Sequence, residues 1–147
     1  MYVRAFKAKN DKDKSRTAVY LETIETGSGK NQESAKMYFA GNKAKCEIDA
    51  ICAALPEISL PESQKIIVFT ENHEIAWDFQ CIKNGEAPEF LRGKYWNNLL
   101  QTMAKANIPL EHIDVKEDGL LKQAVTIRAR EYISSLAESN EDYARFT

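Results

Sequence analysis

The 147-residue sequence has no apolar run that approaches the length of a bilayer span, and it holds only three cysteines and two histidines. Cys46, Cys52 and Cys81 form no C-x-x-C pair, and their odd number favours reduced thiols over a disulfide framework. Neither His73 nor His112 has a second histidine or a cysteine at zinc-binding spacing. These absences argue against a membrane protein, a disulfide-stabilised fold and a structural zinc site.

The sequence also lacks a strong charge of either sign. A net charge of −2 and a pI near 5.8 argue against a protein that binds nucleic acid over its whole surface. The basic residues are concentrated at the start, where residues 1–16 carry six Lys or Arg and only two Asp. This segment indicates either a local basic edge or a solvated loop whose lysines keep an edge strand soluble.

The chain has the length of one ordinary domain, to which we assign residues 1–137, followed by an acidic C-terminal tail at 138–147. Residues 1–14 hold too many charges for a secretory signal, so we expect a cytoplasmic location. The composition, 44% hydrophobic and 29% charged, is typical of a globular protein.

The spacing of apolar residues predicts nine elements in the order β-β-β-α-β-α-α-β-α. The predicted strands cover residues 2–8, 17–24, 35–40, 66–69 and 113–115. The predicted helices lie around residues 44–55, 74–79, 96–103 and 121–136. The continuous apolar run at 66–69 indicates a buried, parallel strand, so the sequence predicts an α/β fold.

Two segments in the middle of the chain resemble the core of ribonuclease H. Residues 47–55, EIDAICAAL, resemble the family's helix motif Glu-Leu-x-Ala-x-x-x-Ala-Leu, and Thr70-Glu71-Asn72 resembles its strand-end motif Thr-Asp-Ser. The predicted element order matches that family as well. The resemblance implies a ribonuclease H-like fold, with a five-stranded mixed sheet of order 3-2-1-4-5 flanked by helices.

The resemblance also implies a site. Ribonucleases H use two divalent ions held by four acidic residues, which come from the first strand, the motif helix, the strand end and the last helix. Glu47 and Glu71 match two of these positions, which makes them the catalytic and metal-binding candidates. We expect Glu47 to be partly solvated beside the apolar stripe of its helix, or alternatively to be an ordinary exposed glutamate. Glu71 is one methylene longer than aspartate, and alternatively it only ends its strand.

The other two acidic positions look empty. The first-strand aspartate falls on Ala8, and the last-helix aspartate falls within residues 124–128, none of which is acidic. Asp118 stands where the family has a mobile histidine. If Arg128 points inward, it can pair with Glu47 or Glu71 in place of a metal ion.

From this pattern we expect the two glutamates, if they face each other, to be neutralised by Arg128, Lys7 or Lys9 rather than by an ion. The leading hypothesis is a non-catalytic module without a cofactor. It would bind nucleic acid, as an RNA–DNA hybrid or duplex, or a protein partner. The candidate nucleic-acid-binding residues are Lys7, Lys9, Lys12, Lys43 and Lys45.

Two alternatives remain. The first is a nuclease dependent on Mg²⁺ or Mn²⁺ whose site is rebuilt from Asp11, Asp13 or Asp118. The second is a structural subunit that uses the fold only as a protein interface.

Overall fold

The computed structural model describes residues 1–8, 16–39, 42–58 and 65–146. The five strands are β1 Tyr2–Lys7, β2 Thr17–Ile24, β3 Asn31–Tyr38, β4 Ile66–Thr70 and β5 Ile113–Glu117. The four α-helices are α1 Lys43–Ala54, α2 His73–Lys83, α3 Gly93–Lys105 and α4 Lys122–Ala137. The predicted order of elements is confirmed.

The strands form one sheet in the order β3-β2-β1-β4-β5. β1, β2 and β3 form an antiparallel meander, whereas β4 lies between β1 and β5 and is parallel to both. The predicted topology is therefore correct. A parallel arrangement brings the carboxyl ends of β1, β4 and β5 to one edge of the sheet, which is where the acidic motif residues were expected.

The third strand was misplaced by the sequence. It was predicted at residues 35–40, but β3 begins at Asn31 and ends at Tyr38. Its first four residues are polar and exposed, so they show none of the apolar alternation on which the prediction relied. They form a strand because β2 continues to Ile24 and pairs with them through the backbone.

Two apolar clusters cover the two faces of the sheet. The larger cluster contains Val3 and Ala5 of β1 and packs beneath α1, α2 and α3, with Trp96 buried in it. The smaller one contains Phe6 and Ala8 and packs against α4. Successive β1 side chains point to opposite faces, as the strand geometry requires.

The acidic tail contains a packed segment. Residues 141–146 form a 3-10 helix, and the Phe146 side chain is buried in the smaller apolar cluster beside Phe6 and Ala18. This segment therefore packs on the same sheet as the rest of the chain. The domain boundary at residue 137 remains a prediction.

One face of β4 is only partly covered. Ile66 and Val68 are buried, as the apolar run predicted, but Ile67 on the opposite face is exposed. Tyr2 and Phe69 stack on that face with ring centroids 5.0 Å apart. The strand is therefore central in the sheet without being enclosed on both faces.

The outer edge of β5 is occupied by side chains of α2. Lys83 Nζ donates to the Ile113 carbonyl at 2.8 Å, and Gln80 Nε2 donates to the Val115 carbonyl at 3.3 Å. Two carbonyl acceptors of an edge strand are thus already hydrogen-bonded within the chain.

Within the described residues, no helix is long and apolar enough to span a membrane. Cys46, Cys52 and Cys81 are all free thiols.

Candidate functional site

Glu47 is buried in the interior of α1. Asn42 caps the start of this helix by accepting a hydrogen bond from the Lys45 backbone N–H at 3.2 Å. Glu47 lies one turn further along, on the face that packs against the sheet. Only 2% of Glu47 is exposed, and its carboxylate accepts a hydrogen bond from the Thr70 hydroxyl at 3.3 Å. The expectations of a partly solvated or an exposed Glu47 are both wrong.

Glu71 follows β4 directly, at the carboxyl end of the strand. The next residue, Asn72, caps α2 by accepting from the backbone N–H groups of Glu74 and Ile75, so Glu71 stands in the short connection between strand and helix. About a third of its side chain is exposed, at 34%. Its Oε2 lies 3.7 Å from Arg4 Nε.

The basic residue at the centre of the site is Arg4 of β1, and its side chain is fully buried. Its guanidinium forms an ion pair with Asp118 as well as the longer one with Glu71. It also donates to the Thr126 hydroxyl and to the Lys122 carbonyl of α4, each at 3.0 Å. One side chain therefore joins β1, β4, the segment after β5, and the last helix.

This arrangement corrects three expectations about the first strand and last helix. Ala8, which was aligned with the first-strand aspartate, lies in the apolar cluster under α4, and the first-strand residue beside the carboxylates is Arg4. Arg128 pairs with neither Glu47 nor Glu71, because it makes two hydrogen bonds to Glu22 at 2.9 and 3.0 Å. Lys7, another residue expected to neutralise the two glutamates, is instead exposed at the end of β1.

Asp118 lies near the same end of the sheet, as one of the rebuilt-site alternatives supposed. Its backbone N–H donates to the Thr70 carbonyl at 2.9 Å, which extends the pairing of β5 with β4 by one residue. The side chain is fully buried and is paired with Arg4. Asp11 and Asp13, the other residues considered for a rebuilt site, lie outside the described residues.

Burial raises the pKa of Glu47 to about 8. The Thr70 hydrogen bond lowers the pKa, the nearby Glu71 charge raises it, and the charges of Arg4 and Lys43 lower it. Burial is the largest of these effects, so Glu47 carries a proton at neutral pH. A metal ion would have to displace this proton in order to bind the Glu47 carboxyl group.

These residues do not fit a pair of Mg²⁺ or Mn²⁺ ions. The guanidinium of Arg4 already provides a positive charge to Glu71 and Asp118, and a divalent ion placed between them would be repelled by it. Among the residues that the structure describes, no group of three or more histidine, cysteine, aspartate or glutamate side chains is placed to hold a metal ion.

A set of lysines lies near the start of α1. Lys43 and Lys7 are exposed, and Lys45 forms an ion pair with Asp49 one turn later at 2.8 Å. Lys7 pairs with Thr17 in the sheet, and Thr17 is hydrogen-bonded to the Cys46 thiol in the second turn of α1, so Lys7 lies near this end of the helix. We call Lys7, Lys43 and Lys45 the basic edge. Lys9 and Lys12, the other predicted members, lie outside the described residues.

Sequence reasoning missed Arg4. The available signal was a single arginine in the otherwise apolar strand sequence Tyr-Val-Arg-Ala-Phe, at a position where alternation buries the side chain beside α4. A buried charge requires a partner, so this arginine predicted a carboxylate close to it in the folded chain.

The fold is similar to that of solved ribonuclease H domains. One is the N-terminal ribonuclease H domain of a Mycobacterium tuberculosis protein, solved as a fusion with maltose-binding protein. The match has 11% identity and a TM-score of 0.59, and it covers 94% of this chain and 96% of that one. Another is LC11-RNase H1 in complex with an RNA/DNA hybrid, with 10% identity, a TM-score of 0.57, and coverage of 88% and 91%.

A third similar structure is the foamy viral protease-reverse transcriptase in complex with double-stranded DNA. It matches with 13% identity, a TM-score of 0.55, and coverage of 86% of this chain and 85% of that chain. No protein-family model and no curated protein matches the sequence. At identities of 10% to 13%, these matches support a shared fold but not a shared activity or site. The resemblance stated from the two motifs is confirmed, and the chain has a ribonuclease H-like α/β fold.

Proposed function

We propose that this chain is a non-catalytic ribonuclease H-like protein that binds duplex nucleic acid. The main support for the absence of catalysis is the buried Arg4 guanidinium, which is paired with Asp118 and Glu71. It places a fixed positive charge at the first-strand position, where a two-metal nuclease needs a carboxylate. In the metal-free chain, burial also keeps Glu47 mostly protonated at neutral pH, so a metal ion would have to displace a proton there.

The basic edge supports the binding function. Lys7 and Lys43 are exposed beside the N-terminus of α1, where unpaired backbone N–H groups and the helix dipole favour a phosphate group. Two of the similar structures are complexes with double-stranded DNA and with an RNA/DNA hybrid. A phosphate backbone laid across the start of α1 would be bound through charge rather than through base edges, so we expect little sequence preference.

The first experiment tests catalysis. The wild-type protein is incubated with a labelled RNA–DNA hybrid and Mg²⁺ or Mn²⁺, and the products are separated on a denaturing gel. We expect no cleavage. Cleavage that disappears in a Glu47→Gln variant would establish the alternative, a metal-dependent nuclease with a rebuilt site.

The second experiment tests binding by fluorescence anisotropy with the same hybrid and with a DNA duplex at several salt concentrations. A Lys7→Glu, Lys43→Glu double variant should bind both more weakly, and its salt slope should be smaller by about 0.9 for every phosphate that the variant no longer neutralises. The matched control is Lys105→Glu, an exposed lysine at the C-terminal end of α3. Equal binding by the wild type and the double variant would exclude the basic edge and favour a protein partner.

A further inference from the structure

A second surface lies on α2 and the loop that precedes α3, and it differs from the basic edge in both charge and composition. Its rings are His73, Trp77 and Phe90, and its carboxylates are Glu89 and Glu117. The His73 ring lies 6.0 Å from the Trp77 ring and 6.3 Å from the Phe90 ring, measured between centroids. We call these five residues the aromatic-acidic face.

The two large rings of this face are unusually open to solvent. Trp77 is 48% exposed and Phe90 is 49% exposed, and both lie close to the ring of His73. Residues of this size contribute most to binding when a partner buries them. Trp77 and Phe90, which face solvent on either side of the His73 ring, therefore form a candidate contact surface.

Two of the three rings are held by side-chain hydrogen bonds, and Phe90 is held through its backbone. The Trp77 indole N–H donates to Glu89 at 2.6 Å, and the His73 ring is paired with Glu117. The Phe90 backbone N–H donates to Asp78 at 2.9 Å. The His73 and Trp77 rings and the Phe90 backbone are thus positioned before any partner arrives, which reduces the entropy lost on binding.

The loop that displays Phe90 and Glu89 is organised by one buried carboxylate. Asp78 accepts the backbone N–H groups of Glu89, Phe90 and Leu91 at 2.8 to 2.9 Å, and the Trp96 indole at 3.4 Å. Such a set of bonds to a single anion fixes the loop rigidly. The exposed Phe90 side chain therefore projects from a loop whose backbone is fixed by hydrogen bonds.

The charge of the region selects the partner. Glu74 and Glu86 are exposed on the same helix and the loop after it, in addition to Glu89 and Glu117. Lys83, the basic residue of α2, has its ammonium group bonded to the Ile113 carbonyl. Arg92 is exposed just beyond the loop, at the N-cap of α3, and is the basic residue nearest in sequence to Phe90. The four exposed glutamates outnumber it, so the face favours a cation, which the carboxylates and the faces of the rings both attract.

We propose that the aromatic-acidic face binds an arginine side chain of a protein partner. A guanidinium group can stack on Trp77 or Phe90 while it donates to a carboxylate of Glu89 or Glu117, and its planar shape fits this combination better than an ammonium group does. Glu89 retains free acceptor sites after receiving the Trp77 indole, because an ionised carboxylate accepts several hydrogen bonds.

The test uses a blocked Gly-Arg-Gly-Arg-Gly peptide and the full chain, with binding followed by NMR. The sequence has two tryptophans, so the Trp77 indole N–H signal is identified by its loss in Trp77→Ala. We expect this signal to shift saturably with the peptide, and not with a peptide in which citrulline replaces arginine. The peptide affinity in the variants is measured from the backbone amide signals of Glu89, Phe90 and Leu91, which remain when Trp77 is replaced. It should fall about threefold or more in Trp77→Ala and in Glu89→Gln.

The matched control is Phe39→Ala, because Phe39 is an aromatic residue that is 78% exposed and lies outside this face. It should leave peptide binding unchanged. The proposal is overturned if the peptide produces no shift at millimolar concentration, if the citrulline peptide binds equally well, or if the folded Trp77→Ala variant binds as the wild type does. A shift of the Trp77 signal caused by an RNA–DNA hybrid instead would also overturn it. The outcomes with the arginine and citrulline peptides do not depend on whether the basic edge binds nucleic acid.

Discussion

Arg4 and Asp118 form an ion pair in which both side chains are completely buried. They are far apart in sequence, one in the first strand and the other just after the last strand. Burying two opposite charges together costs desolvation energy that their attraction roughly offsets, whereas removing one of them leaves the other unpaired in the interior. The pair therefore makes the site sensitive to any change of charge at either position.

We predict that Arg4→Met lowers the free energy of unfolding by about 3–5 kcal/mol, because it leaves the buried Asp118 carboxylate without a cation. The measurement is urea denaturation monitored by circular dichroism. Arg130→Met is the control, since Arg130 is exposed on α4 and its guanidinium lies over the Phe6 ring, 5.0 Å from the centroid. A loss of similar size in both variants would show that the ion pair is not the cause.

Glu47 gives the stability of the protein a specific pH dependence. Its pKa is raised from 4.5 to about 8 by burial, so between these values the folded state holds a proton that the unfolded state has released. Stability therefore falls as the pH rises from about 4.5 to 8, by up to about 1.4 kcal/mol per pH unit, and levels off above that range.

Glu47→Gln removes the ionisable carboxyl group and should abolish the fall in stability between about pH 4.5 and pH 8. The variant should gain stability relative to the wild type as the pH is raised from 5 to 8 in a series of urea titrations. Glu131→Gln on the exposed face of α4 serves as the control and should follow the wild type. Parallel curves for the wild type and Glu47→Gln would contradict the prediction.

We predict that Arg4→Asp converts the site from one that repels divalent ions to one that responds to them. The substitution replaces the central cation by a carboxylate next to Glu47, Glu71 and Asp118, and the resulting repulsion can be relieved by Mn²⁺. The variant should be less stable than the wild type and should recover part of its melting temperature on addition of Mn²⁺. The wild type should show no such increase, and NaCl at equal ionic strength should not replace Mn²⁺ in the variant.

Asp78→Asn should lower the free energy of unfolding by about 1.5–3 kcal/mol, because a neutral amide with a single acceptor oxygen cannot satisfy three backbone N–H groups and an indole. The loop that carries Phe90 should become mobile, which hydrogen exchange of the Glu89, Phe90 and Leu91 amides will detect. Protection of these amides at the wild-type level would contradict the assigned role of Asp78.

The sequence predicts much of this fold because the apolar pattern and the order of elements agree. β4 and α1 were located by continuous or periodic apolar residues, and the parallel placement of β4 followed from them. The start of β3 was predicted four residues too far along the chain, because the strand Asn31–Tyr38 begins with polar residues. Its pairing depends on the partner strand rather than on its own composition. Long-range backbone pairing of this kind leaves little local signal.

The site was predicted only in part, for a related reason. Glu47 and Glu71 were located by motif, but the residue that joins the site to the last helix was sought among Arg128, Lys7 and Lys9 rather than at Arg4. The alignment placed the first-strand aspartate position at Ala8, near the end of the predicted strand, whereas the buried cation of β1 lies four residues earlier, at Arg4. Burial of a charged residue is a property of the assembled sheet, and a local motif does not report it.

The hydrogen bonds of Gln80 and Lys83 to β5 affect how this molecule behaves at high concentration. An edge strand with free carbonyl groups can recruit a strand from a neighbouring molecule and begin edge-to-edge polymerisation. On β5 the Ile113 and Val115 carbonyls are already bonded to a lysine and a glutamine from α2, so an incoming strand would have to displace both side chains. The other edge, β3, carries charged and polar residues along most of its length, which makes a second chain costly to pair there. Extension of the sheet is thus opposed on one edge by side-chain hydrogen bonds and on the other by exposed polar and charged side chains.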